Sequence, residues 1–305
     1  MMAGKIVAIG ACVADTLMTV PHFPKEDTKL RALASKTAGG GPAATGLVAA
    51  AKLGAKTAFI GNLSSDSAGA FLLSDFEKYG VGTEQINVYA GHRSFTSVIW
   101  LSEESASRTC VFDRGDLPPL SLSDGARRAI KEADLLMVDG NDMDAAVEAA
   151  TLARESQTTV LYDCGGLYPD VARLLALTDI MIPSEEFALG HTGEKDAEAA
   201  AKKLFALYAP RVVVITQGSR GGLIYDGESL VRYPVFPVEV KDSNGSGDVF
   251  HGAFAFGLTK GYSYEKCARF ASAVSALKCT GIGARESVPT FDTVKDFLKE
   301  KQYEL

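Results

Sequence analysis

The stretch Asp242-Ser243-Asn244-Gly245-Ser246-Gly247-Asp248, followed directly by the apolar run 249–258, sets small residues and a carboxylate where a turn opens into a helix. Backbone N–H groups at a helix N-terminus attract anions, and glycine lets the chain approach one closely. A carboxylate beside such a turn can take a proton from a hydroxyl while the N–H groups stabilise negative charge. Phosphoryl transfer to an alcohol requires both tasks. On this reading Asp248 is the base, and Gly245, Ser246 and Gly247 hold the migrating charge. The plainer alternative makes Asp248 a helix N-cap and the glycines an ordinary turn. Other nucleotide-binding signatures do not match. There is no G-x-x-x-x-G-K-[ST], and the run from Gly39 fails G-x-G-x-x-G because Ala44 stands at the last glycine position. A P-loop NTPase and an NAD-dependent oxidoreductase therefore lack their own motifs.

Positioning such a turn takes a rigid scaffold, and the apolar pattern supplies one. Short β-branched runs at 5–11, 57–60, 135–138, 159–162, 180–182 and 212–215 alternate with helical segments at 41–53, 69–78, 144–155, 171–175 and 196–207. The alternation predicts βαβ crossovers and a doubly wound, mostly parallel α/β sheet covered on both faces, with 1–305 as a single domain. Two segments break the pattern. Residues 16–37 carry Pro21, Pro24 and many charges, and 95–112 alternate like exposed antiparallel strands. They predict a small β-sheet lid formed by about residues 12–37 and 91–118; edge decoration of the main sheet is the alternative.

A net charge of −7 argues against a nucleic-acid surface and leaves small molecules as the expected partners. Five cysteines, an odd count without a C-x-x-C pair, read as reduced thiols of a cytoplasmic protein. The start of the chain has no secretory pattern, and no run approaches the roughly 20 apolar residues of a membrane span. The four histidines share no metal spacing. His251, three residues after Asp248, suggests either an Asp-His couple or simple packing.

Over nearly its whole length the chain resembles the ribokinase-like (PfkB) family of carbohydrate kinases, nearest in pattern to its ketohexokinase/fructokinase-like branch. The family's D-T-x-G-A-G-D is matched by the opening heptapeptide. Its G-G-x-x-x-N, followed nine residues later by glycine, is matched by Gly40-Gly41-Pro42-Ala43-Ala44-Thr45 and Gly54. The resemblance implies an ATP- and Mg²⁺-dependent kinase acting on a hydroxymethyl group of a sugar or sugar-like acceptor, with two copies pairing through the lid. It assigns Asp15, Gly40, Gly41, Thr45, Arg108 and Asp116 to the acceptor, and Ser184, Thr216, Gly218, Gly221 and Ser272 to the nucleotide. Glu185 or Glu186 would organise Mg²⁺ through water. Asp242, Asn244, Gly281, Gly283 and Ser287 match the region that holds a monovalent cation such as K⁺ in some members.

The departures bear on the acceptor. Thr45 replaces the family's sugar-binding asparagine, and Ser184-Glu185-Glu186-Phe187 replaces N-x-x-E, leaving no carboxylate at the last position. Arg93, Arg108 and Arg114 are either surface charges or a receptor for an anionic substituent such as phosphate or sulfonate. A nucleoside kinase of the same family and a non-catalytic nucleotide or sugar sensor on the same fold are the competing readings.

Overall fold

Apolar runs without polar alternation can be stable only when both faces are covered, and in this chain they form the middle of the molecule. The computed structural model describes residues 4–105 and 107–304. From the N-terminus come β1 (Lys5–Ile9), β2 (Val13–Val20), β3 (Ala34–Gly40), α1 (Pro42–Lys52), β4 (Lys56–Ser64), α2 (Ser67–Lys78) and β5 (Val81–Tyr89). Next are β6 (Thr96–Ser102), β7 (Arg108–Asp113), α3 (Asp124–Lys131), β8 (Leu135–Val138), α4 (Met143–Glu155), β9 (Thr159–Cys164), α5 (Val171–Leu175) and β10 (Ile180–Pro183). The last part holds α6 (Glu185–Thr192), α7 (Ala197–Tyr208), β11 (Val212–Thr216), β12 (Gly222–Tyr225), β13 (Leu230–Tyr233), α8 (Ser246–Thr259), α9 (Tyr264–Cys279) and α10 (Phe291–Glu300).

The main sheet has the order β13-β12-β11-β10-β9-β8-β1-β4-β5. It is parallel from β5 through β11, and β12 and β13 continue it as an antiparallel edge. α1, α2, α8, α9 and α10 pack on one face, while α3 to α7 cover the other. This is the doubly wound architecture that the alternation predicts. Chain order reverses between β1 and β8, the place where open α/β sheets leave a crevice at their carboxyl ends. The first strand ends at Ile9, two residues before the predicted limit, because the Ala11 N–H leaves the ladder for the carboxylate of Asp139 at 2.8 Å.

The two pattern-breaking segments form a separate sheet of order β3-β2-β6-β7. It is mixed: β2 pairs antiparallel with β3 and parallel with β6, and β6 pairs antiparallel with β7. Its register sets Asp15 beside Ser97 and Ser97 beside Phe112. β5, α3, α6, the β12–β13 hairpin, α9 and α10 are elements that the periodicity does not single out.

Helices α1 and α8 cross with almost nothing between them. α1 is made of small residues, and a Cβ on Gly252 of α8 would lie 1.9 Å from the Gly46 carbonyl oxygen of α1. Gly252→Ala must therefore force the two backbones apart; we expect a loss of about 2–4 kcal/mol, read as a lower urea midpoint with an unchanged m-value.

Candidate active site

The turn 242–248 runs directly into α8. Gly245 is the helix N-cap with φ 73°, a left-handed conformation that glycine adopts freely, and no side chain caps the helix. Asp248 is therefore not the cap; it sits in the first turn. The N–H groups of Gly247 and Asp248 find no acceptor among the described residues, and a Cβ on Gly247 would meet only open space. Ser246 differs from expectation, because its N–H donates to the Ser243 carbonyl at 3.2 Å and closes the turn.

Asp248 opens onto a cavity of about 180 Å³ that Asp15, Gly40, Gly41 and Asn244 also line, with Phe95 just before β6 and with Ser97 and Phe112 from the second sheet. Asp15 is buried, and Ser97 Oγ donates to its Oδ1 at 2.5 Å, as the strand register requires. Burial pushes the Asp15 carboxyl up to about 6, against the opposing pull of Ser97 and Arg285. A Cβ on Gly40 would stand 1.9 Å from Asp15 Oδ2, so a larger residue there must displace the Asp15 carboxylate. Gly41, at φ 90°, turns the chain into α1 so tightly that a Cβ would meet the Ala11 carbonyl at 2.1 Å. A larger cavity of about 420 Å³ lies alongside, shares Phe95, and is lined by Asn62, Arg114 and Asn141.

Buried charges hold these loops. Asp139, just past β8, accepts the N–H groups of Ala11 at 2.8 Å and Ala43 at 3.1 Å through Oδ2, and that of Asn141 at 2.9 Å through Oδ1. One carboxylate thus ties the end of β1 to the start of α1. Arg285 is wholly buried. It donates to the Gly40 carbonyl at 2.6 Å and pairs with Asp75 at 2.7 Å. It also lies over the Phe76 ring, with 5.0 Å to the centroid. Sequence reasoning missed both residues. Asp75 carries a usable signal, since it stands on the Leu72–Phe76 apolar side of α2, where a charge needs a buried partner. Asp139 carries none beyond its place after a strand.

Asp248 has its carboxyl raised by burial, with His251, Arg108, Lys278 and Arg285 pulling the other way. His251 makes no couple with Asp248. Its Nδ1 faces the Gly247 carbonyl at 2.6 Å and its Nε2 the Ile182 carbonyl at 3.0 Å, with Asp163 Oδ2 at 3.3 Å from Nδ1. Asp163 is raised by burial and held down chiefly by His251.

Several other predicted residues are engaged elsewhere. Thr45 is fully buried and accepts from Arg285 Nε at 3.5 Å, so its hydroxyl faces the protein instead of the cavity. Asp116 accepts from the Arg93 N–H at 2.7 Å and from Arg93 Nε at 3.3 Å. Arg93 also pairs with Asp113 at 2.7 Å, and all three side chains stay largely exposed. Ser272 donates its hydroxyl to the Pro234 carbonyl at 2.8 Å. Glu185 is held by Gln217 at 2.7 Å and by Arg220. Glu186 is exposed in the first turn of α6.

Ser184 caps α6 through the Phe187 N–H at 3.1 Å and bridges to Thr216 at the end of β11. Gly218 and Gly221, at φ 57° and 82°, shape the loop that follows. Among the described residues no three His, Cys, Asp or Glu side chains cluster as a metal cage. All five cysteines are free. No helix among the described residues is long and apolar enough to cross a membrane.

A family model described as pfkB family carbohydrate kinase matches residues 3–291. The chain is 30% identical to the ribokinase of Haemophilus influenzae, over 98% of this chain and 99% of that one. It is 30% identical to the 5-dehydro-2-deoxygluconokinase of Clostridium beijerinckii, over 88% and 86%. The solved structure of Arabidopsis thaliana ribokinase complexed with ribose and ATP superposes with a TM-score of 0.88 at 25% identity, covering 98% and 99% of the two chains. Neither sequence relative is a fructokinase, so the likeness to the ketohexokinase/fructokinase-like branch does not extend to them.

Asp15 provides a test that needs no ligand. Its folded pKa of about 6 exceeds its ordinary value of 3.8, so the folded state holds the proton longer and stability falls as pH rises from one value through the other. Asp15→Asn removes this cost. Thermal melts from pH 4 to 8 are expected to show a variant that gains on the wild type through that window, by about 2–3 kcal/mol above it. A gap that does not change with pH would remove the buried-carboxylate assignment.

Proposed function

The chain belongs to the pfkB family of carbohydrate kinases, and we propose that it transfers the γ-phosphoryl group of ATP to a hydroxymethyl group of a sugar or sugar-like acceptor held beneath the second sheet, which acts as a lid. The observation that carries the reading is that Asp15 and Asp248 open onto one cavity at the N-terminus of α8. The two carboxylates then divide the work. Asp15 accepts hydroxyl hydrogens that orient the acceptor, and Asp248 takes the proton of the attacking hydroxyl. A carboxyl raised by burial is the stronger proton acceptor.

As the phosphoryl group migrates, its charge faces the unpaired N–H groups of Gly247 and Asp248 and the positive end of α8. Arg108, on the lid strand β7, is among the cations that act on Asp248, and it brings positive charge to the same place. The nucleotide lies along Ser184, Thr216, Gly218 and Gly221. Mg²⁺ would bind on its phosphates and neutralise part of their charge; among the described residues no three His, Cys, Asp or Glu side chains cluster as a separate cage for it. Glu186 would be the carboxylate facing the ion's water shell, since Glu185 is held by Gln217 and Arg220. The larger cavity admits an acceptor that extends past the lid toward Asn62, Asn141 and Arg114. Of the three arginines first considered, Arg114 is the one lining that space, and it suits a polar or anionic substituent.

Asp248→Asn is expected to lower kcat by about 10²–10⁴-fold while the acceptor Kd stays within about threefold. ATP consumption should be measured with ketoses, aldoses, sugar phosphates, sulfosugars and nucleosides. Near wild-type turnover in the variant removes Asp248 as the base, and no turnover by the wild type with any acceptor favours a sensor.

A further inference from the structure

The region that would take a monovalent cation already contains a positive charge. Lys278, on the last turn of α9, is wholly buried, and its Nζ donates to the Asp242 main-chain carbonyl at 2.8 Å. The same Nζ lies 3.8 Å from Asp242 Oδ2. The oxygens around it are committed. Asp242 Oδ1 accepts the Asn244 N–H at 2.8 Å, and Oδ2 accepts the Gly283 N–H at 2.9 Å. The Ser287 hydroxyl donates to the Ile282 carbonyl at 2.9 Å. A free K⁺ at Asp242 would have to displace the ammonium or sit beside it, where like charges in a buried site repel strongly. The residues present therefore do not fit a dissociable monovalent cation.

We propose that Lys278 is a tethered cation that takes the place of a free one. It fixes the Asp242 end of the turn 242–248, while Asp242 joins that turn to the loop carrying Gly283. The unpaired N–H groups of Gly247 and Asp248 then keep their aim without an added ion. Lys278 touches neither reactant and is a positioning residue. Burial lowers its pKa and Asp242 opposes this; Cys279, Asp248 and Arg108 are the other charged or titratable groups acting on it. The inference rests on the kinase reading only for its turnover measurement.

The full chain is melted in ~100 mM KCl, NaCl or tetramethylammonium chloride, which hold ionic strength constant while only the first two ions are small enough to bind. The wild type is expected to melt at one temperature, within about 1 °C, in all three. Lys278→Ala opens space beside the Asp242 carbonyl. It is expected to melt lower in tetramethylammonium and to recover part of the loss in KCl, whereas Lys278→Met, which fills the space without charge, recovers none. In turnover, wild-type kcat is expected to vary less than about twofold among the salts, and kcat of Lys278→Ala to fall about tenfold in tetramethylammonium and rise with K⁺. A wild type that K⁺ stabilises or activates several-fold overturns the proposal, and so does a Lys278→Ala protein that melts and turns over like the wild type. If no acceptor is turned over, the kinase reading alone is damaged, and the melts still decide the role of Lys278.

Discussion

Everything at the site depends on two helices meeting without side chains between them. Gly252 of α8 rests on the Gly46 carbonyl of α1, and that contact sets how closely the two helices lie. α1 starts just after Gly40 and Gly41, and α8 starts just after Gly245, so their N-termini converge on a single cavity. A residue with a Cβ at the crossing would spread the helices and misplace Asp248 against Asp15. The packing is thus a functional constraint as much as a stabilising one.

Convergence of helix ends leaves backbone groups that no ladder can satisfy, and buried side chains answer them. Asp139 gathers N–H groups from three segments, Arg285 holds the Gly40 carbonyl, and Asp242 bonds the N–H groups of Asn244 and Gly283. Each of these charges has its own partners. The resulting network places formal charge close to the cavity, and it explains why the carboxyls of Asp15 and Asp248 are both raised by burial yet restrained by the same Arg285. Thr45 fits the same logic: with arginine at 285 beneath the loop, a short hydroxyl facing inward fills the position of the family's asparagine.

The second sheet completes the cavity by register. Parallel pairing of β2 with β6 places Ser97 against Asp15, and antiparallel pairing of β6 with β7 brings Phe112 beside Ser97. A slip of one residue on β2 would turn Asp15 to the other face. β7 is exposed throughout, as expected of an edge strand that covers a site from one side.

The sequence alone determined the doubly wound sheet, the helix that carries Asp248, and the family, because apolar period and glycine-bearing turns are local and repeat within a few residues. The segments 16–37 and 95–112 were likewise visible as breaks in the pattern, and the structure decided between a separate sheet and an edge of the main one in favour of the former. Only the tertiary structure decided that Arg285 lies under Gly40, that Glu185 and Asp116 are engaged by arginines, that His251 turns toward Asp163, and that Lys278 occupies the Asp242 carbonyl. None of these pairings is between neighbours in the chain, and the contacts of Arg285 with Thr45, Asp75 and Gly40 each span more than 200 positions. A charged side chain's type and neighbours in sequence do not say which distant partner will share its burial. That choice is made by the packing of the sheet and helices, which fixes which backbone groups are left without partners and which charges stand near enough to satisfy them.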